Sequence, residues 1–521
     1  MKSVLIGGAS LLALAGSVAP AFADGDVDEA RISELEARIA QLEETNRRLL
    51  EYLEGQMESE AAPAAAHGPH HGAGQAPMPH HAPADNVATT PYHADMHQAH
   101  MADAQSAMGE NFVGLSSEYS YRVLDHAENV NTRQLVQLEA MRNGELNHRV
   151  TLGGAITALA NYQRSNSDTK FGWLMRHPTS NNQIGEEVSE FVVHSAQLAT
   201  TARLSENMTG YIELLYDPEQ SFGQGTITAL GRNQIQLRRA YVMWGNLDNS
   251  PVYAAIGKID TPFGLNDTVS PFTNSSNWHA FAGLAYGGLV GYYDNGLHLR
   301  AMAIQGGAQF RAANTSVQGT NVPSRVNNFA IDANYTGTFG DGDSFMVGAS
   351  YEHGSPYCQA YPVFHFNPCD ENNPAWAVYS RINLGDLELL GEYAQTTDVW
   401  PGSAVPAPNP LSVFEAQETV SFTFGGRYGL DIGRDSDLDI SLEFSRFRAG
   451  DDGAPWERQD QWVAGLGYFV TPSVNLFGEY IHTDGWVPLN FLSGGNLPGG
   501  ATWSERDAQT DILTFGVQAA F

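Results

Sequence analysis

The chain has 521 residues, 42% of them apolar, and a formal net charge of −32. That charge argues against a nucleic-acid partner, which needs a basic face, and makes cation preference the expectation for any passage through the molecule. A mean hydropathy of −0.28 is that of a soluble protein, yet transmembrane barrels hide their apolar residues in alternation. The 53 Gly, 24 Phe, 21 Tyr and 9 Trp against 2 Cys favour a barrel.

Met1-Lys2, the apolar run Val4 to Val18 and the Ala21-Phe22-Ala23 cleavage site read as a signal peptide over residues 1–23, cut before Asp24. No later run of about 18 apolar residues occurs, so no transmembrane helix is expected. An exported chain of this kind is either soluble or a barrel.

Residues 24–57 carry heptads. Ile32, Ile39, Asn46 and Leu53 fall on a; Leu35, Leu42 and Leu49 fall on d. Arg31 and Arg38 at g face Glu36 and Glu43 at the following e positions, the pairing of a parallel coiled coil, with Asn46 fixing register. Self-association is expected, although a single amphipathic helix fits the same spacing. Ile at a with Leu at d leans towards two strands; a trimer is the other expected assembly.

Residues 58–111 form a linker rich in Ala, Pro, Gly, His and Met, expected to be disordered. His67, His70, His71, His80, His81, His93, His97 and His100 lie here. They are either part of a spacer or a weak, multivalent site for transition metals. The 112–146 segment contains helical spacing over Arg133–Asn143, with Leu135, Leu138 and Met141 at i, i+3 and i+6. This short helix would cap the barrel mouth or enter its lumen.

From Asn147 to Phe521 the period changes to two, giving about 16 strands of an all-β, transmembrane antiparallel barrel. Connections alternate between short turns, as at Glu206 or Gly385-Asp386, and long loops, as at 165–187 or 484–508. Transmembrane barrels show this alternation of periplasmic turns and outer loops. Strand parity points Arg149, Arg203, Arg238, Arg300, Arg381 and Arg427 inward, with Glu213, Asp332, Glu352, Glu388, Glu392, Asp439, Glu443 and Glu479. A mostly basic early wall would then face a mostly acidic later one across a pore; a lumen packed with salt bridges is the plainer alternative. Cys358 and Cys369 share a Pro/Asn-rich loop, where the exported context makes a disulfide the expectation. A metal site would have only His353 and His365 to add.

No nucleophile elbow, zinc-helix motif or phosphate-binding glycine loop occurs, so neither an enzyme nor a cofactor is expected. At the C-terminus Leu513, Phe515, Val517, Ala519 and Phe521 alternate, and the final residue is aromatic. This segment resembles the C-terminal strand by which Gram-negative outer-membrane proteins are recognised for assembly. The stretches Asn131-Thr132-Arg133-Gln134-Leu135 to Asn161-Tyr162-Gln163, and Pro251-Val252-Tyr253-Ala254-Ala255-Ile256-Gly257-Lys258 to Pro262-Phe263-Gly264, resemble the siderophore-porin family typified by the legiobactin uptake protein. That resemblance implies passage of a ferric siderophore, or of small hydrophilic solutes, across the outer membrane. It also implies an N-terminal coiled coil in the periplasm.

In general porins the third loop folds into the pore. By that likeness Asp260, Asp267, Asn277, Trp278 and His279 are the expected constriction. The expected partners are outer-membrane lipid, further copies of the chain and the solute. A structural alternative uses the coiled coil and linker to tether the outer membrane to the cell wall; another assigns metal capture to the His-rich tract.

Overall fold

The computed structural model describes residues 112–166, 186–216, 235–305, 309–310, 325–340, 342–355, 372–399, 417–432, 437–448, 450, 452, 457–487 and 505–521. The expected signal peptide, the coiled coil (Ile32 to Leu53), the His-rich tract and the Cys358–Cys369 pair lie outside them.

Strands with an apolar outer face and a polar inner face can satisfy their backbone groups in lipid only by closing into a ring. The ring here has 16 antiparallel strands. They are β2 (Val150–Ser165), β3 (Glu187–Ser205), β4 (Met208–Tyr216), β5 (Ile235–Trp244), β6 (Val252–Asp260), β7 (Gly283–Asp294) and β8 (Leu297–Gln305), then β10 (Val326–Phe339), β11 (Asp343–Glu352) and β12 (Ala375–Leu384). The rest are β13 (Leu387–Thr396), β14 (Val420–Asp431), β15 (Asp437–Arg448), β16 (Gln459–Thr471), β17 (Val474–Val487) and β18 (Glu505–Ala520). Two short pieces, β1 (Val113–Leu115) and β9 (Gln309–Phe310), add to the sheet. β18 closes on β2 with Thr514 opposite Asn161. Where β18 runs out, Phe521 exchanges backbone hydrogen bonds of 2.9 Å with Gly154. β1 then pairs in parallel with Val150–Leu152 of β2.

The outer face carries Leu152, Ile156, Leu198, Ile212, Val242, Ile256, Val290, Leu442, Leu466 and Phe515, all exposed. Side chains between them point inward and are buried, as Thr151, Glu213, Arg300, Asp332, Ser421, Gln461 and Thr514 show. At one end the turns are short: Asn295 and Gly296, both at positive φ, link β7 to β8, the conformation that Asn-Gly suits in a tight hairpin.

Among the described residues, three helices lie inside the ring. α1 (Ser117–Leu124) and α2 (Arg133–Arg142) form a hairpin that enters from the short-turn end. Sequence spacing finds α2 and leaves its position open; the structure puts it in the lumen. Gln137 donates to Thr209 on β4 (2.8 Å) and accepts from the Tyr241 hydroxyl on β5 (2.8 Å). α1 is absent from the sequence expectations. Its Tyr119, Tyr121, Val123 and Leu124 are buried, and Tyr119 bonds Thr201 on β3 at 2.9 Å. α3 (Ser276–Phe281) belongs to the 261–282 connection, with Ser275 capping it by accepting from Trp278 N–H.

Two bulges shift the strand parity. β3 carries an extra residue opposite Thr157/Ala158, so His194 and Ser195 both face inward. β5 carries one opposite Glu213/Leu214, and Arg238 and Arg239 are both buried inside. Simple alternation puts Arg238 inside and Arg239 in lipid; the bulge brings both to the polar side.

A side chain at Gly154 would fall on the Phe521 ring and lie 3.0 Å from the Gln197 carbonyl oxygen. Gly154→Val is therefore expected to destabilise the closed barrel by about 1–3 kcal/mol, lowering the temperature of heat-modified migration on gels. Gly210→Val, where the nearest atom would be Leu204 Cδ1 at 3.9 Å, serves as the neutral control.

Candidate functional site

The third long connection crosses the barrel and is held by a row of carboxylates. Glu392 on β13 accepts from Leu265 N–H (2.9 Å) and Asn266 N–H (2.8 Å). Glu443 on β15 accepts from Val269 N–H (3.0 Å) and the Thr268 hydroxyl (2.6 Å). Glu479 on β17 accepts from Phe272 N–H (2.8 Å), Thr273 N–H (3.0 Å) and the Thr273 hydroxyl. Neighbouring strands are about 4.8 Å apart, so alternate strands present a carboxylate about every 10 Å. Three to four residues of extended chain cover that distance at about 3.3 Å each. The loop thus runs across the strands in step with their spacing.

The hairpin tip docks on this loop. Thr268 N–H donates to Ala127 O (3.0 Å) and Val130 N–H to Asp267 (2.9 Å). Asn131 donates to Gly264 O (2.9 Å), and Asn274 to His126 O (2.7 Å). Arg133 folds the tip, donating to the carbonyls of Val123 (2.9 Å), Asp125 (2.6 Å) and Val130.

Ion pairs join the tip and loop to the wall. Arg239 grips Asp260 through two bonds of 2.6 Å and Glu213 through bonds of 2.9 and 3.0 Å. Arg300 donates to Asp332 (2.8 Å) and to Asn131 O. Arg381 donates to Asp267 (2.7 Å) and lies 2.9 Å from Glu388. Arg427 pairs with Glu128 and Glu388.

The expected inward residues therefore take different positions. Arg149 is exposed at the short-turn rim, and Arg203 donates to Leu146 O at 3.2 Å. Arg238 is buried on the bulge, and Glu352 is fully buried near the other end of β11. Asp439 faces a cavity with Arg427. A bare basic wall facing a bare acidic one is not what the interior holds. Arg239, Arg300, Arg381 and Arg427 are paired with acids on neighbouring strands, while Glu392, Glu443 and Glu479 are spent on loop amides.

The five expected constriction residues also differ from expectation. The loop does fold inward, but Asp260, Asp267, Asn277, Trp278 and His279 are all buried. Asp260 and Asp267 are engaged by Arg239 and Arg381; the Thr423 hydroxyl reaches Asn277 at 3.4 Å; Trp278 packs with Val130 and Ala282, its ring edge-on to His279. Through Val130 and Arg133 the hairpin tip covers Asp267, Trp278 and Asp260. Sequence reasoning missed Arg239, Asp125 and Glu128. The adjacent Arg238-Arg239 pair was the available signal, since only a bulge keeps both from lipid.

Open space remains along the β12–β16 side. A cavity of about 330 Å³ at the short-turn end is lined by Glu128, Asn383, Asp386, Glu388, Arg427, Asp439 and Phe469. A smaller one of about 60 Å³ shares Glu128, Arg427, Asp439 and Phe469 and reaches Val269–Pro271 of the loop. Four carboxylates against one guanidinium make this vestibule acidic.

No protein-family model and no curated protein matches the chain. Solved structures of outer-membrane porins are similar to it. The outer membrane channel DcaP of Acinetobacter baumannii is 16% identical, over 71% of this chain and 97% of its own, with a TM-score of 0.43. An anion-selective porin from Comamonas acidovorans is 12% identical, over 71% and 99%, at 0.43. Pseudomonas putida OprB is 11% identical, over 71% and 94%, at 0.44.

Burial, then the neighbouring Glu128 and the more distant Asp267, push the Asp125 carboxyl up to about 7 against the opposing Ala127 N–H and Arg133. Burial also raises Asp267. Glu128 goes the other way: Arg427 and Arg381 outweigh its burial and hold it below the usual carboxylate range. A docked Asp125 thus binds its proton more tightly than a freed, solvated one. Docking is strongest below the ordinary Asp range and weakens as pH rises through about 7. Proteolysis of the hairpin in the folded barrel is expected to speed up several-fold between pH 5 and pH 8, and Asp125→Asn to flatten that slope.

Proposed function

We propose that the protein is an outer-membrane porin: a channel for diffusion of small hydrophilic solutes, gated by its own α1–α2 hairpin. The observation that carries this reading is the division of the sheet. Apolar side chains cover the outside, and charged and amide side chains fill the inside on strand after strand. Ionisable groups are tolerated at membrane depth where they meet water or one another, and a barrel of this strand number is wide enough for a channel.

The hairpin tip is joined to the third loop by hydrogen bonds and ion pairs that water can replace, while α1 and α2 pack Val123, Leu124, Val136 and Leu138 with Tyr211, Tyr241 and Met243 of the wall, contacts that the hairpin gives up on leaving. The vestibule supports a cation preference. Solute binding there must stay weak enough for release. A ferric siderophore, the cargo implied by the family resemblance, would need the hairpin withdrawn. Short turns face the periplasm in barrels of this kind, which would place the hairpin and the segment before it on that side. Oligomerisation, as a trimer, would follow from the porin architecture and the N-terminal heptads.

Bilayer recordings of the purified protein test the reading. Discrete conductance steps with a cation-selective reversal potential are expected. Asp386→Lys, at the open vestibule, should move that potential towards anion selectivity while leaving the barrel's heat-modified migration unchanged. Absence of any conductance across pH 5 to 8 would reject the channel.

A further inference from the structure

The Glu352 carboxylate at the long-loop end of β11 is fully buried, and neither of its oxygens has a hydrogen-bond partner. No charged side chain acts on it. Its lateral neighbours in the sheet are Ala330 and Ala375, which have nothing to offer. A buried carboxylate left in this condition is strongly destabilising, and such a group calls for an explanation, an ion among them.

Unpartnered amide oxygens at the same strand ends supply one. Asn373 is 2% exposed, and its side-chain oxygen and nitrogen both lack partners. It lies two residues before Ala375, the residue opposite Glu352, and so shares the inward face with the carboxylate. Its backbone carbonyl accepts from Ser355 N–H at 2.9 Å, which fixes the strand ends here. Asn372 Oδ1 is unpartnered too. It fills the space that a side chain at Gly354 would need, 2.6 Å from where that Cβ would lie. Gly354 is two residues beyond Glu352, on the same face. Asn372 is itself held by a bond to Asn327 O (3.3 Å), and Asn328 by one to Gly354 O (3.0 Å).

We propose that Glu352, Asn373 and Asn372 bind a hard divalent cation, with Ca²⁺ the best fit, at the long-loop end of β10–β12. The donor set is one carboxylate and two amide oxygens, without sulfur or imidazole. Ca²⁺ takes six to eight oxygens in flexible geometry, whereas Mg²⁺ demands a near-ideal octahedron. Clusters of three or more His, Cys, Asp or Glu are absent among the described residues, so the amides distinguish this site from an ordinary acidic cluster. The cation would supply the missing counter-charge and tie together the ends of three strands.

The test uses full-length protein, refolded in detergent without lipopolysaccharide and stripped with chelator. Ca²⁺ suits as the probe because the histidine-rich tract favours transition metals over hard ions. Calorimetric titration of CaCl₂ is expected to give binding with Kd of about 0.1–1 mM, the range of extracellular Ca²⁺ modules. Glu352→Gln should weaken it at least tenfold, and Asn373→Leu several-fold. Ca²⁺ should also raise the temperature of heat-modified migration in the parent protein and leave Glu352→Gln unmoved. Binding that is absent, or equal in parent and Glu352→Gln, would overturn the proposal. So would a Glu352→Gln barrel that matches the parent in every Ca²⁺ response, which would make Glu352 a neutral buried acid.

Discussion

The interior depends on buried carboxylates accepting backbone N–H groups of the third loop. Glu392, Glu443 and Glu479 stand on alternate strands, and each takes one or two loop amides. An irregular segment inside a barrel has no sheet ladder to satisfy it, and each unpaired amide would cost about 1–3 kcal/mol. The carboxylates replace that ladder, and charge-assisted bonds are roughly twice as strong as neutral ones. With the loop in place, its outer edge becomes the surface on which the hairpin tip rests.

This arrangement relates two demands on one molecule. Lipid requires a closed ring with a continuous apolar exterior, supplied by the β18–β2 pairing and the residues around Phe521. The proposed solute passage requires polar groups inside that can change partners. The hairpin satisfies those groups while it is docked, through Gln137, Asn131, Glu128 and Arg133. Burial beside Glu128, with few donors in reach, raises the Asp125 carboxyl, which would tie docking to protons in the proposed gate. Glu128, facing Arg427 and Arg381, stays charged and keeps the latch electrostatic.

Much of this was legible in the sequence. The period-two alternation and the unequal connections are direct consequences of a two-faced sheet, so strand number and membrane class followed from them. The inward orientation of Glu213, Arg300 or Glu479 could be read from their apolar neighbours. The partners of these residues could not, because they depend on which distant segment enters the lumen. Glu479 meets Thr273 across 206 positions, and no local pattern encodes that. α1 was missed because Ser117–Leu124 is only 8 residues long and its buried face is made largely of Tyr119, Ser120 and Tyr121 beside Val123 and Leu124, which gives no repeated aliphatic spacing to read. Arg239 was missed because a bulge breaks the parity on which the reading relied.

The docked hairpin is tested most directly by locking it. Thr268 N–H and Ala127 O are 3.0 Å apart, a backbone pairing that puts the two Cα atoms about 5–6 Å from each other, within disulfide range. Ala127→Cys with Thr268→Cys, on a background of Cys358→Ser and Cys369→Ser, should cross-link rapidly in the membrane-embedded protein. The oxidised channel should be nearly silent in bilayers and recover conductance on reduction. Failure to cross-link, or an oxidised channel that conducts as well as the reduced one, would contradict a hairpin that closes the lumen.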